Sequence, residues 1–444
     1  MLNFIIGRNN SGKTEKIRAL IAERASENKK CILIVPEQFS FESERSILEK
    51  IGAQKMLNVD ILSFTRLAFV INEQYGKALN KTIDDGTRKV LMSLSLEALS
   101  GKLEYFKRFS SKPALLSNLL TFVTELKQCA VTPDEIAEIS GKTGNKSLGK
   151  KLSELSLIAA SYDALVSRSF FDDENLLTIA ADMISETDFF DGKAVYFDAF
   201  CGFTKQERNC IKSILPKAEN VFISLCTDRD LSREGVSVFE NVNSEFSHLK
   251  ECAAEQNVGV SSPEILNVKE DGRSPELVYL EKYLCGEESE PYKEECDNIV
   301  VCAAGNRADE ADFVACEIKK LLRCNPTLRC RNIAVIERTA GTYDKELSES
   351  FKKYGVPMFE DKRRPIGIQP VMVFVKCLLA LCAEGFSTES FMRLLKTGLT
   401  ALSGDEISEL ENYAFLWNID GSKWRRDFTE NPDGLGFDVT EKSQ

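Results

Sequence analysis

Four residues near the start of the chain have the types and spacing for phosphate chemistry. Gly7, Gly12, Lys13 and Thr14, in MLNFIIGRNNSGKT, match G-x-x-x-x-G-K-[ST] without a mismatch. Glycines let the chain wrap tightly, so that successive backbone N–H groups converge on phosphate oxygens. The loop residues Gly7, Arg8, Asn9, Asn10, Ser11, Gly12, Lys13 and Thr14 are therefore candidate ATP contacts. Lys13 would reach the β- and γ-phosphates, and Thr14 would offer its hydroxyl to Mg²⁺. The plain alternative is a Gly/Asn-rich strand-to-helix turn followed by a chance Lys-Thr.

A site that turns over nucleotide also needs an acid at the end of a neighbouring strand to hold Mg²⁺. Asp198, closing the apolar run in KAVYFDAF, is the candidate. Its alternative role is to cap the next turn. In active helicase motors a Glu follows this Asp and orients the attacking water; here Ala199 follows. Phosphoryl transfer rests on positioning and charge stabilisation, so that loss raises the barrier by several kcal/mol while binding survives. Asp228, in LCTDRD, stands where motors carry Gly-Asp and a Gln that senses the γ-phosphate, and no Gln is near. The expectation is nucleotide binding with little or no turnover.

These residues need a scaffold that brings distant segments to one edge. Leu2 to Ile6, Lys30 to Pro36 and Val59 to Phe64 read as buried strands, with helices from Lys13, Phe41 and Thr65 between and after them. This βαβαβ rhythm implies a parallel sheet with right-handed crossovers. From about Ile83 to Ser167 apolar residues recur at three- and four-residue intervals, as in amphipathic helices. Strands resume at Ala194 to Phe200 and Asn220 to Asp228. A second α/β unit is expected from NIVVCAA (298–304), NIAVIER (332–338) and VPMFE (356–360), with helices between them. The expected organisation is 1–82 and 169–268 as one RecA-like unit, 83–168 as a helical insertion within it, 269–297 as an acidic linker, 298–370 as the start of a second RecA-like unit, and 371–444 as an incomplete helical region. The fold class is thus α/β, a P-loop NTPase laid out like a superfamily 1 helicase.

Composition narrows the classes further. The chain has 444 residues and a net charge of −12, which disfavours a purely electrostatic nucleic-acid binder. The acids cluster, however: residues 270–297 hold ten acids against three bases. No apolar run approaches the ~20 residues of a membrane span. With the phosphate loop opening the chain, no signal peptide is expected, and the cytoplasm is the expected compartment. The fourteen cysteines include no C-x-x-C and read as reduced core thiols, and His248, the one histidine, cannot build a multi-His site.

Several stretches in order are similar to the N-terminal part of the B subunit of AddAB-type bacterial helicase–nucleases: GRNNSGKT, VPEQFSFESE (35–44), SFTRLA (63–68), FDAFCGFTKQE (197–207), RADEADFVACEI (307–318), IAVIERT and YGVPMFEDKRRP (333–365), and LENYAFLWNIDGSKW (410–424). That resemblance implies an A subunit as the motor and partner, and single-stranded and duplex-end DNA as ligand. It implies double-strand-break repair and recombination as the process. The helicase-like half of such a B subunit would bind nucleotide and guide the 3′ strand, scanning it for a hotspot sequence. A RecB-type nuclease and an iron–sulfur cluster would belong to a C-terminal part beyond this chain, and the tail PDGLGFDVTEK is not expected to be a nuclease motif. The family usually has Asp-Gly where this chain has Asp198-Ala199. Gln38, Phe39, Ser63, Phe64, Arg66, Phe200 and Phe203 fit a strand-guiding edge, since aromatics stack on bases at ~1–3 kcal/mol each. Lys362, Arg363 and Arg364 are a further candidate for backbone phosphates. The competing functions are an autonomous DNA-stimulated ATPase or helicase, and a small-molecule P-loop kinase.

Overall fold

The apolar runs of the first part of the chain form a six-stranded, wholly parallel sheet in the order β3-β2-β4-β5-β1-β6. The strands are β1 (Leu2–Ile6), β2 (Cys31–Ile34), β3 (Val59–Leu62), β4 (Ala194–Phe197), β5 (Asn220–Leu225) and β6 (Glu264–Ile265). The computed structural model describes residues 1–76, 83–107, 112–169, 173–228, 238–267, 273–284, 290–360 and 366–430. They divide into two units, Met1–Val300 and Val301–Gln444.

Every residue of β2 and β4 is buried, as a parallel sheet covered on both faces requires. Side chains alternate between faces. Leu2, Phe4, Ile6, Ile32, Ile34, Val195 and Phe197 join one core with helices Phe64–Tyr75, Asp173–Glu186, Lys205–Ile214 and Glu240–Glu255. Ile5, Cys31, Leu33, Ala194 and Tyr196 join another, with helices α1 (Lys13–Ser26) and Ser40–Ile51. The strands are shorter than their apolar runs suggest. Ser63 leaves β3 to cap the next helix, and the β4 ladder stops at Phe197, leaving Asp198 at its tip. The two-residue β6 carries no readable apolar run.

Between β3 and β4, helices Asp85–Ala98, Pro113–Gln128 and Lys146–Ser169 enclose a separate apolar core that includes Met92, Leu96, Val123, Ile158 and Tyr162, and helix Pro133–Lys142 packs on Lys146–Ser169. A buried carboxylate ties it to the preceding turn. Glu154 Oε1 accepts the backbone N–H groups of Glu104 and Tyr105, each at 2.8 Å, and Oε2 accepts that of Phe106 at 3.1 Å. Three converging N–H groups satisfy the charge where water is excluded.

The stretch expected to be an acidic linker is partly folded. Helix Pro275–Leu284 packs Tyr279 against Tyr292, ring centroids 5.2 Å apart. Glu276 accepts both the backbone N–H (3.3 Å) and the side-chain amide (2.7 Å) of Asn298. Charge along the sequence did not reveal that one of these acids is a local tie.

The second unit departs from expectation. Helices Arg307–Cys324 and Asp344–Tyr354 form as anticipated and pack through Ala315, Ile318 and Phe351. Segments 298–304, 332–338 and 356–360, however, join no ladder, and among the described residues every strand lies in the first unit. An apolar β-branched run favours extension, but a strand exists only where a neighbour takes its backbone groups. Val301, Ile336 and Phe359 are accordingly about nine-tenths exposed. Helices Pro370–Glu384, Thr388–Leu395 and Gly404–Leu416 share a further small core.

The thiols also differ from expectation. Among the described residues only Cys31, Cys210 and Cys377 are buried, and Cys129, Cys201, Cys296, Cys302, Cys316, Cys324 and Cys382 are exposed. Helical periodicity puts some residues of any apolar run on the outer face. Burial pushes the Cys210 thiol up to about 12 and Cys31 to about 11. No described helix is long and apolar enough to cross a membrane.

Replacing Glu154 with Ala should lower the unfolding free energy of the helical insertion by about 1–3 kcal/mol, because the buried N–H of Phe106 and the part-buried N–H groups of Glu104 and Tyr105 lose their acceptor. Denaturant unfolding followed by circular dichroism measures this. The Asn298 hydrogen bonds hold the Glu276 carboxyl at about 2, against an ordinary 4.5. A carboxyl held low stabilises the folded form above its ordinary pKa, and that contribution disappears as pH falls from 4.5 toward 2. Hydrogen-exchange protection of residues 275–284 and 296–300, corrected for intrinsic rates, should fall across that window and become insensitive to it in Glu276→Gln.

Candidate nucleotide site and nucleic-acid edge

β1 runs into the candidate phosphate loop, and the loop opens α1. Two backbone demands explain the glycines. A Cβ on Gly7 would lie 2.4 Å from Ser11 Oγ and 2.9 Å from the carbonyl oxygen of Leu266, so only glycine fits against the segment following β6. Gly12 has φ 88°, a left-handed conformation that a side chain disfavours. Gly12 also precedes α1 without any side-chain cap, so the first-turn N–H groups and the positive end of the helix face the loop. The Lys13 ammonium donates to the carbonyls of Gly7 and Arg8, both at 2.7 Å. It is held by neutral oxygens and not by a carboxylate, so a phosphate placed here would compete with carbonyl and hydroxyl dipoles and not with a charge.

β5 separates β1 from β4, and all three strands end at the same edge. Asp198, buried at the tip of β4, accepts the Ser224 hydroxyl of β5 on Oδ1 at 2.5 Å. Its backbone N–H donates to Ile34 of β2. The Ser224 contact was not readable from sequence, because it depends on the β4–β5 register. Beyond β5, Thr227 donates to Asn243 Oδ1 at 2.5 Å, and Asp228 pairs with Arg8 at 2.8 Å. The next residue after Asp198, Ala199, has φ 65°. A methyl side chain thus occupies a left-handed position where glycine is at ease.

The oxygen donors fit Mg²⁺ brought in by a nucleotide. Thr14 would supply a hydroxyl and Asp198 a carboxylate, hard ligands of the kind this ion takes alongside phosphate and water. Among the described residues no group of three or more His, Cys, Asp or Glu forms a metal cage. Mg²⁺ held by one carboxylate together with the nucleotide needs none.

The strand-guiding candidates separate into two sets. Gln38 and Phe39 are exposed on the 3₁₀ turn Glu37–Phe39 after β2, and Arg66 is exposed on the first turn of helix Phe64–Tyr75. Phe200 is half-buried. Phe64 and Phe203, in contrast, are buried, and Ser63 is spent on capping, its Oγ accepting Arg66 N–H at 3.2 Å. Phe64 lies 5.9 Å from Phe197, 5.5 Å from Phe200 and 6.1 Å from Phe203, ring centre to ring centre. Such aromatic pairs add about 0.5–1.5 kcal/mol each beyond burial, so these two rings act as core and support Phe200 from beneath. Phe41, missed in the sequence, is 78% exposed two residues beyond Phe39. Lys362, Arg363, Arg364 and the tail PDGLGFDVTEK lie outside the described residues. His248 sits against the Arg208 guanidinium, Nδ1 at 3.1 Å, and Arg208 also pairs with buried Glu245.

The family model described as "ADDB, N-terminal" matches residues 4–281. The chain belongs to the AddB family. Among curated relatives, this AddB-family chain is 32% identical over 425 residues to the B subunit of the ATP-dependent helicase/deoxyribonuclease of Clostridium novyi, a match covering 95% of this chain and 37% of that protein. The protein of the same name from Clostridium tetani is 31% identical over 455 residues, covering 100% of this chain and 40% of the relative. The chain therefore spans well under half the length of the curated AddB relatives it matches.

Ala199→Gly should stabilise this AddB-family chain by about 0.5–1 kcal/mol, because glycine adopts φ 65° without the Cβ penalty. The melting temperature should rise relative to the parent; a fall would show that the methyl group makes compensating contacts.

Proposed function

We propose that this chain is the helicase-like part of a B subunit in a heterodimeric ATP-dependent helicase–deoxyribonuclease, where it binds nucleotide and guides a 3′ single strand without being the motor. It acts in the cytoplasm, on broken DNA ends destined for recombination. An A subunit of the same assembly drives unwinding. The nuclease activity in the relatives' name, and the iron–sulfur cluster implied by the resemblance, would belong to the portion of the relatives that this chain does not span.

One observation carries the reading. The phosphate loop has its full complement of glycines, lysine and helix end, while the position after Asp198 holds Ala199 in a left-handed conformation and offers no carboxylate to orient water. When bound, Mg²⁺ would neutralise phosphate charge between Thr14 and Asp198. Lys13 would move from the Gly7 and Arg8 carbonyls to the β- and γ-phosphates. Gln38, Phe39, Phe41, Arg66 and Phe200 offer stacking faces, a cation and an amide near the strand ends, where open α/β sheets take ligands. Scanning for a recombination hotspot is the use this edge would serve.

The test is binding of a fluorescent ATP analogue with Mg²⁺, together with ATPase rates, on the chain and on Lys13→Ala. Binding should be micromolar or tighter in the parent, weaken by about a hundredfold in Lys13→Ala, and come with negligible hydrolysis. Single-stranded DNA should bind at low salt, weaken steeply with added salt, and weaken further in Arg66→Ala combined with Phe200→Ala. Robust DNA-stimulated hydrolysis that disappears in Lys13→Ala would replace this reading with an autonomous motor. No nucleotide binding at all would remove it.

A further inference from the structure

The ion pair at the tip of β5 belongs to the phosphate loop as much as to the strand. Arg8 is the second residue of the loop, its carbonyl already accepts from Lys13, and its guanidinium is buried. Its counterion Asp228 lies 220 residues away in sequence, on the stretch that follows the neighbouring strand. The residues leading to it are held twice: Gly7 N–H donates to Leu225 O at 3.3 Å, and Thr227, the residue before Asp228, donates to buried Asn243 of helix Glu240–Glu255. The carboxylate therefore follows directly on a residue tied to that helix, while the cation rides on the candidate phosphate loop.

A triphosphate entering that loop brings several negative charges close to Asp228. In a partly buried site such like-charge proximity is costly unless a cation is shared or transferred. Arg8 is the cation in place to do it, with a planar fork suited to phosphate as well as carboxylate. We propose that Arg8 is a second phosphate-binding cation of the loop and Asp228 its exchangeable counterion, so that nucleotide occupancy is registered at the end of β5 by loss of the Arg8–Asp228 pair. This rests on the nucleotide-binding reading above and adds a residue pair that reports the bound state. In motors a Gln beyond this strand senses the γ-phosphate; here the sensing would pass through an arginine that changes partners.

Equilibrium binding of an ATP analogue with Mg²⁺ to the full chain and to Arg8→Gln, Asp228→Asn and the double variant tests this, with thermal unfolding as a check on folding. Partner exchange predicts that Asp228→Asn binds about tenfold tighter, because Arg8 no longer has to leave the Asp228 carboxylate. Arg8→Gln should bind about tenfold weaker, and Arg8→Lys should recover part of that loss. The double variant decides. If Arg8 contacts phosphate, the double variant stays several-fold weaker than the parent. If the pair is only a neutral strut, removing both charges returns affinity to within about twofold of the parent, and the proposal is overturned. Hydrogen exchange at residues 226–228 gives an independent readout: nucleotide should raise it in the parent and leave it unchanged in Arg8→Gln. A parent that binds no nucleotide defeats both this inference and the reading beneath it, whereas a parent that binds and a double variant that matches it defeat this inference alone.

Discussion

The parallel ladder between β1 and β5 is the constraint on which the candidate site depends. Leu2 to Ile6 pair in register with Val221 to Leu225, and that pairing brings the loop after β1 beside the stretch after β5. β4 then pairs with β5 and sets Asp198 at the same edge. The loop after β1 meets two segments that lie some two hundred residues further along, because parallel strands point their ends the same way, with crossover helices returning the chain to the far side. A register slip of one residue would turn Ser224 away from Asp198 and rotate every strand side chain to the opposite face. The strands of the sheet thus position the charged groups without taking part in the chemistry.

Within that frame, polar groups are paired in ways that leave the loop ready. Asp198 has Ser224, Asp228 has Arg8 and Thr227 has Asn243, each at the rim of the apolar core. Lys13 alone is held by backbone carbonyls, with Ser11 Oγ more distant at 3.5 Å. The edge beside it is built on a cluster of phenylalanines. Phe64 and Phe203 lie in the core, and Phe200 rests on them at the rim. A ring that is half-buried and propped from beneath presents a face at small entropic cost, which is what stacking on a base requires.

The helical insertion and the second unit show two outcomes of the same patterning. Apolar periodicity between β3 and β4 produced helices that close around a core of their own, with Glu154 as an internal tie. In the second unit the helices formed from equally clear signals, but three apolar runs stayed without ladder partners. Helices satisfy their own backbone groups; strands depend on a neighbour. That asymmetry explains why helical segments were legible in both units and strands only in the first.

Much of the candidate site was legible in the sequence, because its signals are local. Gly7, Gly12, Lys13 and Thr14 match a phosphate-loop pattern by spacing, and Ala199 stands after Asp198 where a motor has a carboxylate. The apolar runs likewise determined a parallel α/β sheet. Tertiary structure alone decided that Phe64 and Phe203 are core and not platform, that Ser224 holds Asp198, and that Arg8 faces Asp228. It also decided why Gly7 tolerates no side chain, since the obstructing carbonyl of Leu266 arrives from more than 250 residues away in the sequence. Backbone shape is written in neighbouring residues, whereas the partner of a charge, and the side of a ring that meets water, follow from which distant strands lie side by side.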